Sequence, residues 1–166
     1  STNGGASWSA ATSPNLDLGA LYAVAGRTNG ANPNVWVAVG HNDLDSKIYR
    51  STNNGSTWTV VHTEIGRLFA DVIWTGSHWV AVGRDDFDSG IVYRSTDGVT
   101  WTTASLSGDW LAPLLSVAMN ASGEILAVGE AGTILRSTDS GANFVQIASG
   151  LASEELTSII ANSAGT

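Results

Sequence analysis

Carboxylates paired at i and i+2 beside a serine are the residues here whose types and spacing come nearest to a reactive or ligating site. Asp43 and Asp45 with Ser46, and Asp86 and Asp88 with Ser89, occupy matching segments, HNDLDS and RDDFDS. Such oxygens could be donated to a hard cation such as calcium. No glycine and bidentate glutamate follow at calcium-loop spacing, so the pattern reads first as hairpin tips whose aspartates accept hydrogen bonds from turn amides. Asp109 and Trp110 are the second candidate. A tryptophan beside carboxylates stacks on a sugar ring or anchors a protein partner; equally, Trp110 with Leu111, Ala112 and Pro113 after it could cover an apolar sheet edge. Asp109 and Glu64 would serve glycoside hydrolysis only with their carboxyls about 5 to 10 Å apart. His41, His62 and His78 show no ligand spacing. With no cysteine in the chain, thiolate chemistry, disulfides and Cys-ligated metals are excluded. The sequence calls for no metal and no cofactor.

The elements that hold these residues follow from composition and repetition. Of 166 residues, 43% are hydrophobic and 13% charged, an apolar share that supports a packed core and rules out disorder driven by charge. The net charge of -8 repels phosphate backbones and anionic lipid, so nucleic acid is not an expected partner. The longest nearly apolar stretch, Trp110 to Met119, is interrupted by Pro113 and Ser116. It falls short of the roughly 20 residues of a membrane helix, and no membrane insertion is expected.

Four similar segments punctuate the chain: STNGGASW from Ser1, STNNGSTW from Ser51, STDGVTW from Ser95 and STDSGANF from Ser137, starting 50, 44 and 42 residues apart. Between them recur a first apolar run (Leu21 to Ala25, Leu68 to Trp74, Leu114 to Met119, Leu156 to Ala161), then VWVAVG, HWVAVG or EILAVG, then KIYRS, IVYRS or TILRS. A fourth run follows each marker, as in Trp58 to Val61. Runs this short, rich in Val, Ile, Trp and Tyr and bounded by Gly, Asn, Asp or Ser, predict strands. The expected unit is a four-stranded antiparallel meander, apolar on both faces, so that units must stack on one another.

The markers resemble the Asp-box, or bacterial neuraminidase repeat, and the match runs the length of the chain. The resemblance implies an all-β fold, a β-propeller segment whose boxes form the hairpins between the third and fourth strands of each blade. In each box a Ser and an Asx side chain hold the turn, a glycine supplies a positive φ, and an aromatic residue plugs the blade core. The residues matching these roles are Ser1, Asn3, Gly5 and Trp8; Ser51, Asn53, Gly55 and Trp58; Ser95, Asp97, Gly98 and Trp101; and Ser137, Asp139, Gly141 and Phe144. The first two boxes carry Asn in place of Asp, and the third is one residue shorter.

Blades are expected near residues 21–61, 68–104 and 114–148, with partial blades at 1–11 and 156–166. A closed propeller has four to eight blades, so the reading is either part of a longer chain or a homo-oligomer that completes the ring. Sialidases of the family carry an Arg-Ile-Pro motif and a Tyr–Glu pair; the motif is absent, and the sequence assigns no such pair among Tyr22, Tyr49 and Tyr93. Arg50, Arg94 and Arg136 repeat in step with the blades, which points to bonds within the sheet rather than an anion-gripping cluster. The VAVG and RST pattern is also similar to propeller-type photosystem assembly factors, which are binding proteins. The expected function is therefore a noncatalytic binding or structural module presenting an acidic loop face to protein or glycan, in an extracellular or cell- or virion-surface setting. A fragment of a sialidase-like or xyloglucanase-like glycoside hydrolase is the alternative.

Overall fold

The structure, a computed structural model, describes residues 5–7, 9–10, 19–27, 34–42, 45–108 and 111–161. Ser1, Asn3, Trp8, Asp43, Asp109 and Trp110 lie outside the described residues. Strands β1 (Ala20–Gly26), β2 (Trp36–Asn42), β3 (Asp45–Ser51) and β4 (Thr59–Ile65) form one antiparallel sheet in chain order. A second sheet follows, of β5 (Arg67–Trp74), β6 (Trp79–Asp85), β7 (Gly90–Ser95) and β8 (Thr102–Thr103). After β9 (Ser105–Ser107), the third sheet is built of β10 (Leu114–Met119), β11 (Ile125–Gly129), β12 (Ile134–Ser137) and β13 (Asn143–Gln146). The four-stranded antiparallel units expected from the repeats are thus present. One strand was not expected: β9 runs parallel along β13 and makes the third sheet five-stranded. A connection laid along a neighbouring sheet's edge covers backbone groups that would otherwise stay unpaired.

Alternation along the VAVG strands explains the stacking. Val37, Val39 and Ile48 of the first sheet meet Phe69, Trp79, Ala81, Tyr93 and Trp101 of the second. The opposite face of the second sheet, Val80, Val82 and Val92, meets Leu114, Ile125, Ala127, Leu135 and Phe144 of the third. Successive residues of β6 therefore point into two different cores, and Trp79, Val80, Ala81 and Val82 all have 0% exposure. A strand buried on both faces must be apolar without interruption.

The glycine that ends each VAVG run has a steric cause. A Cβ on Gly40, Gly83 or Gly129 would stand 2.1, 1.8 or 1.9 Å from the carbonyl oxygen of Ala20, Leu68 or Pro113. Just beyond, the first strand of each sheet bulges, between Leu21 and Ala23, Phe69 and Asp71, or Leu114 and Ser116. Bulges with close backbone contact are where a strand admits only glycine. At the Phe69/Asp71 bulge the Asp71 carboxylate is aimed at the third sheet, accepting Ser116 Oγ and Val117 N, both at 2.9 Å.

The Ser-Thr-Asx turns join β3 to β4, β7 to β8 and β12 to β13. In each, the serine hydroxyl donates to the Asx side chain (Ser51 to Asn53 at 3.0 Å, Ser95 to Asp97 and Ser137 to Asp139 at 2.9 Å) and accepts the amide of Gly55, Gly98 or Gly141. The Asx oxygen in turn accepts the amides that close the hairpin: Thr57 N, or Val99 N and Thr100 N, or Ala142 N and Asn143 N. Gly55, Gly98 and Gly141 have φ of 81, 73 and 81°. Gly5 has the same sign, at 89°. Trp101 and Phe144 are buried between sheets, whereas Trp58 folds back on its own turn, Nε1 donating to Gly55 O at 3.0 Å.

The side-chain and backbone donors of Asn143, with help from Ser137 and Ala142, bring the Asp139 carboxyl down to about 2 against partial desolvation. A depressed folded value contributes stability that is complete above the ordinary carboxylate range and is lost as pH falls toward 2. Asp139→Asn keeps an acceptor at the same place without the charge. Denaturation midpoints measured from pH 5 to pH 2 should fall less steeply in this variant than in the parent; equal slopes would show that the turn does not hold this carboxylate charged.

Gly83→Ala puts a methyl group against the Leu68 carbonyl and should lower stability by about 3 kcal/mol, in the range of severe backbone and packing defects. Urea unfolding measures it, and a loss below about 1 kcal/mol, the size of an ordinary surface effect, would show that the two strands do not approach so closely.

Candidate functional site

The Ser-Thr-Asx turns share one end of the sheets with the connections between first and second strands, such as Thr75–His78 and Asn120–Glu124, and the remaining loops lie at the other end. One end holds the Ser-Thr-Asx turns, with Arg50, Arg94 and Arg136 at the ends of the strands that enter them. Arg136 bonds Glu124, just before the adjacent strand β11, not the turn beside it. It is Arg27, lying over the Trp74 ring at 4.3 Å, that reaches a turn carbonyl, Thr96 O at 3.2 Å. The other end gathers the β2–β3 and β6–β7 hairpins, the Gly66 link between the first and second sheets, and the short 3-10 turn Glu130–Gly132. Asp45, Asp85, Asp86, Asp88, Glu130, Glu154 and Glu155 lie at this loop end, against Arg67 and Arg84.

A cleft of about 420 Å³ opens there, lined by His41, Gly66, Arg67, Leu68, Arg84, Asp85, Asp86 and Asp88. The β6–β7 hairpin forms one wall, and Asp85 closes it: its carboxylate accepts Phe87 N and Ser89 N, both at 2.9 Å. Asp88, at φ 56°, pairs with Arg84. Asp86 points elsewhere, its carboxylate set against Gly66, where a Cβ would stand 2.1 Å from Oδ2. The two aspartates grouped by their spacing, Asp86 and Asp88, are thus used separately, and the residue that caps the turn is Asp85. No group of three or more His, Asp or Glu among the described residues is placed to hold a metal ion.

Beneath the cleft runs a polar chain that spacing along the sequence did not reveal. Arg67 donates to Tyr93 OH and lies over its ring, with Cζ 5.4 Å from the centroid. Tyr93 OH donates to Glu64 Oε1 at 3.0 Å, and His62 Nε2 stands 3.2 Å from the same oxygen. Tyr93 of the second sheet and Glu64 of the first are thus hydrogen-bonded to each other. The Tyr93 hydroxyl is already engaged on both sides and the tyrosine is 3% exposed, so it ties the first sheet to the second rather than facing solvent. The aromatic edge contact of Tyr93 with Phe69, centroids 5.2 Å apart, continues the tie into the core.

A second hollow, of about 380 Å³ and mainly apolar, lies on the outer face of the first sheet among Leu21, Tyr22, Val24, Tyr49 and Trp58. It is the counterpart of the face of the second sheet that the first one covers. At the far side, residues 154–161 lie against the third sheet without joining a ladder, through Gly132 N to Glu154 O at 2.6 Å and Leu156 N to Gly129 O at 3.0 Å. Leu156 to Ala161, over which a first strand was expected, form no strand.

The chain matches no protein-family model and no curated protein in sequence. Its architecture is similar to that of YCF48 from Cyanidioschyzon merolae, at TM-score 0.56 and 21% identity over 80% of this chain and 38% of that one. A structure of YCF48 bound to D1 peptide gives TM-score 0.59 and 16% identity, over 89% and 44%. The GH74 enzyme of Niastella koreensis gives 0.50 and 21%, over 76% and 17%. The fold is that of a β-propeller. The three sheets are its blades, and the chain spans less than half the length of these neighbours.

Removing the Tyr93 hydroxyl leaves Arg67 and Glu64 without their shared partner. Tyr93→Phe should cost about 1 to 2 kcal/mol, as for an interrupted buried hydrogen-bond pair. Thermal unfolding checks it, and an unchanged midpoint would mean that the chain of bonds does not tie the blades.

Proposed function

We propose that this propeller segment is a noncatalytic module that binds a protein partner through its acidic loop end, in an extracellular or cell- or virion-surface setting. One observation carries the reading: the Ser and Asx side chains of the repeated turns are consumed by internal hydrogen bonds, while the loop end bears an open cleft in which Asp85 caps its own turn and Asp88 pairs with Arg84 but the exposed Asp86 carboxylate is held by no donor among the described residues. A binding face needs groups not already satisfied by the fold. That a propeller neighbour is found with a bound peptide supports a protein partner over a glycan. The closed turns are read as Asp-boxes acting as staples, which leaves the loop end for recognition. The apolar outer faces of the first and third blades are read as seats for further blades, from continuing chain or a second copy, which light scattering separates by mass.

The second reading, part of a sialidase-like or xyloglucanase-like glycoside hydrolase, has in its favour the likeness to a GH74 enzyme and the Tyr93–Glu64 bond. Hydrolysis of aryl glycosides by the purified chain, lost in Glu64→Gln, would establish it in place of the first.

An array of peptides and glycans probed with the chain should return peptide binding. Joint reversal of Glu130 and Glu154 to Lys should weaken that binding about tenfold, as loss of rim electrostatics does at low salt, while Ser56→Lys at the turn end leaves it unchanged. Binding lost in Ser56→Lys and kept in the loop-end variant would overturn the reading.

A further inference from the structure

Phe87, at the tip of the β6–β7 turn, is 89% exposed, and Ile65, at the end of β4 beside the Gly66 turn, is 80% exposed; both border the loop-end cleft. The turns touch, because the Asp86 carboxylate packs on Gly66, directly after Ile65. Solvated hairpin tips are ordinarily polar, and an exposed ring beside an exposed branched aliphatic marks a contact surface. The β6–β7 tip is also held in shape: Asp85 accepts Phe87 N and Ser89 N at 2.9 Å, and Arg84 pairs with Asp88. Phe87 is thus presented on a fixed backbone, which lowers the ordering cost of binding.

The charges around these apolar tips are not balanced. Arg84 is occupied by Asp88, and Arg67 donates to Tyr93. Asp86 accepts no hydrogen bond and forms no ion pair among the described residues, and the wider loop end is acidic. A cation arriving at Asp86 would gain a carboxylate that no internal donor holds, in a field that steers positive partners toward it. An exposed phenyl ring and an exposed isoleucine on touching turns suit an aliphatic or aromatic side chain.

We propose that this end docks a basic amphipathic peptide segment of a partner protein, an apolar side chain resting on Phe87 and Ile65 and a lysine or arginine on Asp86. The inference rests on the loop end being a protein-binding face and specifies its partner's chemistry.

The test is fluorescence anisotropy with a labelled short peptide of lysines flanking a central tryptophan, against one with glutamates in place of the lysines and one with alanine in place of the tryptophan. The lysine–tryptophan peptide should bind the chain at least tenfold tighter than either control, and raising salt should weaken it. Phe87→Ser and Asp86→Asn, both at exposed positions, should each reduce its affinity about five- to tenfold with thermal midpoints unchanged. Equal binding of the lysine and glutamate peptides, no binding of either, or binding untouched by both substitutions would overturn the inference. Peptides from the array that still lose affinity on reversal of Glu130 and Glu154, yet ignore Phe87 and Asp86, would leave the loop-end reading standing without it. Loss of array binding only on turn-end substitution would remove both.

Discussion

Burial of both faces of each blade is the constraint on which the rest of this molecule depends. A sheet with two apolar faces cannot be stable in water alone, and here the middle blade shows the resolution. Trp79, Ala81 and Tyr93 pack into the first blade while Val80, Val82 and Val92 pack into the third. Apolar area removed from water contributes about 25 cal/mol per Å², so a strand shielded twice is favoured well beyond one with a wet face. The outer faces of the first and third blades, where Leu21, Val24 and Val145 remain more than half exposed, show the same surface without its cover.

Close packing then dictates backbone detail. The first strand of each blade bulges against the glycine that ends the VAVG strand, and the carbonyl of Ala20, Leu68 or Pro113 occupies the space a side chain would need. Polar ties are placed where the blades diverge from pure hydrophobic contact: Asp71 reaches Ser116 and Val117, and Tyr93 links Arg67 to Glu64. The Ser-Thr-Asx turns are closed by their own serine and Asx side chains. The carboxylates, the cleft and the exposed Phe87 collect at the loop end.

The strands and the stapled turns were legible because each depends on residues close in sequence, repeated in phase. Ser51 with Asn53, or Ser137 with Asp139, is a local pattern whose hydrogen bonds follow from spacing. The network at the cleft was not legible, because Glu64, Arg67 and Tyr93 come from strands of two blades and meet only once those blades stack. The role of Asp85 was missed for a different reason. Alignment of HNDLDS with RDDFDS drew the eye to Asp86 and Asp88, but the turn geometry selects the aspartate at the strand end as the cap. The parallel strand β9 gave no signal beyond the alternating Ser105, Leu106 and Ser107, too short to read. A single carboxylate inside the apolar run Leu68 to Trp74 was the available sign of the Asp71 tie.

Amide hydrogen exchange followed strand by strand tests the stacking most directly. Shielding on both faces predicts that the amides of Val80 to Val82 exchange slowest, with those of Leu126 to Val128 next. The amides of β1, whose outer face is open, should exchange well before either. Exchange of β6 as fast as that of β1 would contradict a blade enclosed between two others, and with it the arrangement that places the loop-end cleft.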